Sequence, residues 1–284
     1  MQEAMNRFLE TLASEKRKCS RNTIEAYSYD LSKFQEFLQD RKLAWQSVDS
    51  TLLETYIAQL RMAGYVDATR ARKVSALRSF FRFLAQEGTI IKDPAESLYP
   101  PYVKHTSPKH LSEEEVSRLL AQAAQEDTPV GQRNAAILEL LYFTGLSVSE
   151  LTSLDALDIN FQDSCIRCQS RKSEIRIVRF PPGWLERPRI KHYLTTARPH
   201  LLRKHQDTPA LLVNNRGQRL IRQTVWNIIK TYGQKAGIRK NIAPNTLRRS
   251  LAIYLLQNGE SLHTVQELLG HSRISTTQIY TLRT

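Results

Sequence analysis

Apolar residues recur at helical spacing through most of the first hundred positions. In the stretch TIEAYSYDLSKFQEFLQDR, residues Ile24, Tyr27, Leu31, Phe34 and Leu38 form one apolar stripe, which predicts an amphipathic helix. Ser50 opens a second helix carrying Leu53, Tyr56, Ile57 and Leu60. A third run, ATRARKVSALRSFFRFLAQEG, sets Val74, Leu77, Phe81 and Leu84 on one side and stops at Gly88, a fitting helix C-terminus. Its other side carries Arg70, Arg72, Lys73, Arg78 and Arg82, which reads either as a solvated face or as one turned toward an anionic partner. From Asp93 to His110 the periodicity is lost, and Pro94, Pro100, Pro101 and Pro108 disfavour a continuous helix. This segment predicts a linker.

Order resumes at LSEEEVSRLLAQA, where Ser112 and Glu115 have capping-box spacing ahead of Val116, Leu119 and Leu120. A further helix ends in ELLYFTG. Short strands are expected around Leu157–Phe161, Cys165–Gln169 and Ile175–Phe180. The chain then returns to helices: Pro244 suits the first position of one that closes on Gly259, and Ser261 caps another that stops at Gly270. The expectation is a mainly α protein with a small β-sheet, divided into a helical domain over residues 1–105 and a mixed α/β domain over 111–284. A length of 284 residues independently favours two cores over one.

Charge narrows the partners. The chain carries 41 Lys and Arg against 28 Asp and Glu, a formal +13, which points to a polyanion, with nucleic acid preferred to a membrane surface. Between Arg171 and Arg249 there are 19 Lys and Arg against only Glu174, Glu186 and Asp207, so the anion site is expected in the second domain. No run of about 18 apolar residues and no apolar leader at the start is present, which predicts a soluble, cytoplasmic protein with no membrane partner. The cysteines Cys19, Cys165 and Cys168 are too few for a disulfide framework, and on a strand residues three apart face opposite ways, so Cys165 and Cys168 are not expected to bind metal.

The stretch Ala243–Thr281, APNTLRRSLAIYLLQNGESLHTVQELLGHSRISTTQIYT, closely resembles the signature box of tyrosine recombinases of the phage-integrase family, Xer branch, HxLRHSFAxxLLxxGxxLxxVQxLLGHxxIxTTxxYTH. The spacing is kept without a gap. TGLSVSEL, Thr144–Leu151, resembles the family's other box, TGLRxSEL, and the N-terminal helices resemble its core-binding domain. The resemblance implies a SAM-like helical domain and a catalytic domain that close on duplex DNA as a clamp, with Arg70, Arg72, Lys73 and Arg78 as DNA-contacting candidates on the first. It further implies Tyr280 as nucleophile, with Arg248 and His271 stabilising the phosphate. Attack by Tyr280 on a phosphodiester would give a 3′-phosphotyrosine and a 5′-hydroxyl, storing the bond energy so that no cofactor, ATP or metal is required. Arg248 offers a planar fork for two nonbridging oxygens, and His271 a further donor to the developing charge.

Several positions depart from the family pattern. Ser147 stands at the first arginine of TGLR, Asn245 at the second box's histidine, and Arg249 at the histidine that follows Arg248. The hairpin lysine of the GKGxKxR pattern aligns with Arg171, with Lys172 one residue later and able to act as general acid if the register shifts; arginine, with a pKa above about 12, is a poor general acid. Arg171 and Arg249 are candidate substitutes for the cation absent at Ser147. One lost oxyanion donor typically costs about 2.7–4 kcal/mol, or about 100- to 1,000-fold in rate. The expectation is therefore a site-specific DNA recombinase with a weakened active site, assembling with itself or a partner recombinase on DNA. The alternative is a catalytically impaired DNA-binding or regulatory module. A helix-turn-helix regulator would explain the charge but not the ordered match from Thr144 to Tyr280. Only Leu282–Thr284 follow Thr281, where Xer-like proteins continue into a further helix that docks on a neighbour, so the free protein is expected to be a monomer.

Overall fold

The computed structural model describes residues 1–14, 19–102, 109–169, 175–179, 189–202 and 208–281, apart from the side chain of Arg21. Its contacts divide the chain into two compact units, Met1–His105 and Thr106–Thr284.

The first unit is helical, with α1 (Gln2–Ala13), α2 (Arg21–Asp40), α3 (Ser50–Met62) and α4 (Asp67–Gln86). Asp49 caps α3 by accepting from Leu52 N at 2.8 Å. The apolar stripes meet in an aromatic core, with Phe34 5.1 Å from Tyr56 and Phe8 5.5 Å from Phe80 between ring centroids. The sequence reading singled out α2, α3 and α4 but not α1, whose Met5, Phe8 and Leu12 are buried in the same core. The segment read as a linker begins later than its loss of periodicity suggests, because Ala95 and Leu98 are buried against the first unit.

One candidate DNA contact is displaced by this packing. Lys73 is 2% exposed, paired with Asp30 at 3.0 Å, and lies over the rings of Tyr29 and Tyr65 at 5.6 and 5.4 Å. Asp30 also pairs with Arg72, and Arg70 with Asp67. A helix carrying eight buried side chains cannot keep every basic residue at its surface: Lys73 precedes Val74 and sits one turn before Leu77, so it turns inward with them. Arg78 is partly exposed, 5.9 Å from the Tyr99 ring, and Arg82 is exposed.

The second unit is built around α6 (Pro129–Thr144), buried on nearly every side, with Thr128 as N-cap and Gly145 in the left-handed region as its C-terminal stop. Around it pack α5 (Glu113–Ala124), whose Ser112–Glu115 capping box is formed, and α8 (Arg189–His192), which runs through a π-helical turn, Tyr193–Ala197, into α9 (Arg198–Leu202). After α6 come α7 (Val148–Ser153) and an antiparallel sheet of β1 (Ile159–Asn160), β2 (Cys165–Gln169) and β3 (Ile175–Arg179) in that order. The expected first strand is shorter than its apolar residues suggest: Asp155 N donates to Asp158 Oδ2 at 2.8 Å, forming a 3-10 turn that leaves Leu157 exposed. The later described residues form α10 (Arg222–Lys235), α11 (Pro244–Gln257), α12 (Leu262–Leu269), α13 (Ile274–Gln278) and a 3-10 turn, Ile279–Thr281. No described helix is long and apolar enough to cross a membrane.

Candidate active site

Three segments converge in the second unit: the turn from α6 into α7, the core face of β3, and the α11–α12–α13 run. The first turn depends on Gly145. Its φ of +60° suits glycine, and a Cβ there would lie 2.8 Å from Leu269 Cδ2 and 3.1 Å from Leu251 Cδ2. Close approach of this turn to α11 and α12 therefore requires the glycine itself.

Ser147 follows as the N-cap of α7. Its hydroxyl accepts from Glu150 N at 3.3 Å while its own N–H donates to Glu150 Oε2 at 2.7 Å, a complete capping box. The residue standing where the family pattern has an arginine thus holds a helix end and orients Glu150. That carboxylate is buried, and Arg176 Nε on β3 donates to its Oε1 at 2.8 Å, with Arg248 Nη1 3.8 Å from its Oε2. Burial pushes the Glu150 carboxyl up, but the hydrogen bond and charge of Arg176, aided by Ser147, outweigh it and hold the carboxyl below its ordinary value.

Arg248 sits on α11, largely buried. Its Nη1 donates to Gly145 O and its Nη2 to Leu269 O, so the guanidinium ties the α6–α7 turn to the end of α12. Next along the chain, Gly270 takes φ +64° and His271 N donates to Gln266 O at 3.1 Å. The Nδ1 side of the His271 ring is held by Thr277 Oγ1 at 2.9 Å, from α13. Tyr280 follows in the 3-10 turn Ile279–Thr281, half-buried, with its ring centroid 6.1 Å from that of His271. It packs beside a small apolar cluster of Ala252, Val265 and Leu269.

Arg248, His271 and Tyr280 are thus gathered at one end of the unit. Asn245 is exposed at the second residue of α11, and Arg249 is partly exposed one residue beyond Arg248. Arg171 and Lys172 lie outside the described residues, as do Leu282–Thr284. Among the described residues Cys168 is buried and Cys165 partly buried, both as free thiols, and no group of three or more His, Cys, Asp or Glu is placed to hold a metal. Burial pushes the Cys168 thiol up to about 11.

Sequence reasoning overlooked Glu150 and Arg176. Signals were available: Glu150 is the glutamate of the TGLRxSEL box and stands at capping-box spacing from Ser147, while Arg176 meets the last position of the GKGxKxR pattern when its lysine is set at Arg171, and falls on the apolar face of a strand whose other inward residue is Val178. The basic excess of this region also proves less available to a ligand than its count implied. Arg198 donates to Thr208 O and Ala210 O, Arg219 to Thr152 O and Leu154 O, and Arg176 to Leu268 O.

Residues 109–284 match the Phage integrase family, and residues 5–88 match the Phage integrase N-terminal SAM-like domain. The chain is 40% identical over 283 residues to Tyrosine recombinase XerC of Roseiflexus castenholzii, covering 99% of this chain and 89% of that one. It is 39% identical over 267 residues to Tyrosine recombinase XerD of Oceanobacillus iheyensis, covering 93% and 89%. In fold it is similar to the XerH site-specific recombinase crystallised with palindromic difH substrate as a post-cleavage complex, at a TM-score of 0.78 and 23% identity, over 96% of this chain and 80% of that one. With both halves of the chain matched in order and the two boxes folded against each other, this protein belongs to the phage integrase family of tyrosine recombinases.

Proposed function

We propose that the protein is a site-specific DNA recombinase that cuts and rejoins strands through Tyr280, with cleavage slowed by the residues at Ser147 and Asn245. The observation that carries this reading is the approach of the Tyr280 and His271 rings, 6.1 Å apart, beside an Arg248 that is fixed to both boxes. In the forward step the Tyr280 phenol releases its proton to solvent as its oxygen attacks the phosphorus of a phosphodiester. The P–O5′ bond breaks, the 5′-oxygen leaves with a proton, and a 3′-phosphotyrosine remains. Attack by a 5′-hydroxyl on that linkage reseals a strand and returns the phenol, so bonds are exchanged one for one without an external energy source.

Arg248 and His271 supply donors to the phosphate as charge builds on it. Lys172 is the proposed proton source for the leaving 5′-oxygen. Ser147 offers no cation and is engaged in capping, and Asn245 cannot exchange a proton, so two of the family's donors are weakened. Double-stranded DNA is the partner, with a second recombinase protomer, identical or related, assembled on it.

The test is incubation with a nicked suicide duplex chosen for binding from a random-sequence library. A slow covalent protein–DNA band that disappears in Tyr280→Phe is expected. A band that persists in Tyr280→Phe would overturn the nucleophile. Its absence on DNA that the protein demonstrably binds would make the chain a DNA-binding module.

A further inference from the structure

We infer that Arg176 is a positioning residue for the reaction proposed above, fixing the turn that carries His271. Its side chain leaves β3 on the core face, opposite Cys168 in the strand register, and is 14% exposed. A guanidinium in such a place costs heavily unless its donors are met. Two of them are met from different elements: Nε by Glu150 Oε1 at 2.8 Å and Nη1 by Leu268 O at 2.6 Å. Nη2 is buried with no hydrogen-bond partner among the described residues.

The second of these bonds reaches the site. Leu268 and Leu269 are the last residues of α12, whose terminal carbonyls have no partner within the helix and favour a cation. Arg176 takes the first carbonyl and Arg248 the second, and both guanidinia face the Glu150 carboxylate, which offsets their mutual repulsion. Gly270 then crosses directly over Arg176: a Cβ at that glycine would lie 3.1 Å from Arg176 Cδ and Nε. His271 is the next residue. The sheet thus holds the backbone on the N-terminal side of His271, while Thr277 holds its ring from the other side.

Arg176 is placed to act on His271 through the backbone, so its removal should disturb geometry at the phosphate and leave the spread contacts that bind DNA intact. Arg176→Gln and Arg176→Lys are compared with the unchanged chain in four measurements. These are affinity for the library-selected duplex, the rate of covalent-complex formation on its nicked form at saturating protein, the melting temperature, and the His271 imidazole NMR signals of the free protein. Arg176→Gln is expected to slow covalent-complex formation by about 10- to 100-fold with affinity within about twofold, and to shift the His271 signals. Arg176→Lys keeps the charge facing Glu150 but not both bonds, so it should recover part of the rate.

Unmoved His271 signals in a folded Arg176→Gln protein overturn the inference. So does a loss in which affinity, rate and melting temperature fall together and Arg176→Lys restores none of the rate. If Arg176→Gln does not fold, Arg176→Lys carries the test: shifted His271 signals support the inference and unshifted ones overturn it. If the unchanged chain forms no covalent complex, the recombinase reading fails by itself, and the His271 signals still decide the role of Arg176.

Discussion

Each unit buries a carboxylate between two cations, and the two arrangements do different things. In the first unit Asp30 meets Lys73 and Arg72, with the Lys73 ammonium enclosed by the rings of Tyr29 and Tyr65. In the second, Glu150 meets Arg176 and Arg248, which also donate to main-chain carbonyls at Gly145, Leu268 and Leu269. Lysine is a point charge that two aromatic faces can surround, so Asp30–Lys73 joins α2 to α4 and extends no further. Arginine has donors left after meeting a carboxylate, and these reach across to the backbone beside His271. The same charge pattern is internal support in one unit and a frame for the candidate site in the other.

The comparison breaks most visibly at Asp30. Replacing it with alanine leaves Lys73 buried without its counter-ion, and truncating one partner of a buried pair costs about 3–5 kcal/mol. Asp30→Ala should therefore lower the first unit's unfolding free energy, measured by denaturant titration, by that amount. Lys73→Met should cost far less, because Asp30 keeps Arg72 and the thioether replaces the lysine stem. Equal losses from the two substitutions would show that the carboxylate is not what the lysine requires.

In the second unit the largest effect is on chemistry. Ser147→Arg with Asn245→His should raise the rate of covalent-complex formation by about 100-fold or more while changing DNA affinity little. The structure adds a cost, because Ser147 caps α7 and losing such a cap typically removes about 1 kcal/mol of stability. The restored protein should therefore cleave faster and melt lower. If the unchanged chain already cleaves as fast as the double variant, another cation serves the phosphate, with Arg171 and Arg249 the first to test.

The helices of both units were legible because their cores select apolar residues at regular spacing: Leu31, Phe34 and Leu38 are buried, as are Val116 and Leu119. The caps at Ser112 and Ser261 and the stops at Gly259 and Gly270 were legible because these are local geometry, settled within a turn of the residue concerned. Tyr280, Arg248 and His271 were singled out through a gapless motif and not through any intrinsic property. What was not legible is partner choice over long separations. Nothing near Lys73 in the sequence says that Asp30, 43 residues earlier, will draw it inward, and nothing near Arg176 points to Leu268, 92 residues later. Charge counts fail for the same reason, since they do not distinguish an arginine facing solvent from one holding a carbonyl.

Acid should sharpen the comparison further. The Glu150 carboxyl is held below its ordinary range in the folded protein, so the unfolded chain binds its proton at higher pH. The resulting stability is fully present above the ordinary carboxylate range and is lost as pH falls through the depressed folded value. The gap in unfolding free energy between the unchanged chain and Glu150→Gln should therefore be widest above about pH 5 and narrow below about pH 4. A gap that stays constant over that window would mean that Glu150 gains nothing from its charge.

The smallest expected effect separates the basic residues of α4 from one another. Arg82 is exposed and pairs with no described acid, whereas Lys73 is sealed against Asp30. A cation that neutralises a DNA phosphate releases a counter-ion and adds about one to the slope of log affinity against log salt. Arg82→Ala should weaken binding a fewfold between about 50 and 200 mM salt and flatten that slope by about one. Arg78, 5.9 Å from the exposed Tyr99 ring, should behave in the same way with a smaller change, because its planar group is already engaged. Lys73→Met should leave the slope unaltered wherever the first unit remains folded, since its charge never reaches the solvent that a phosphate would displace. Slopes measured by fluorescence anisotropy on these variants would therefore sort the basic face of α4 into residues that meet DNA and residues that hold the helix. A slope reduced by Lys73→Met as much as by Arg82→Ala would mean that the Asp30 pair opens on binding DNA.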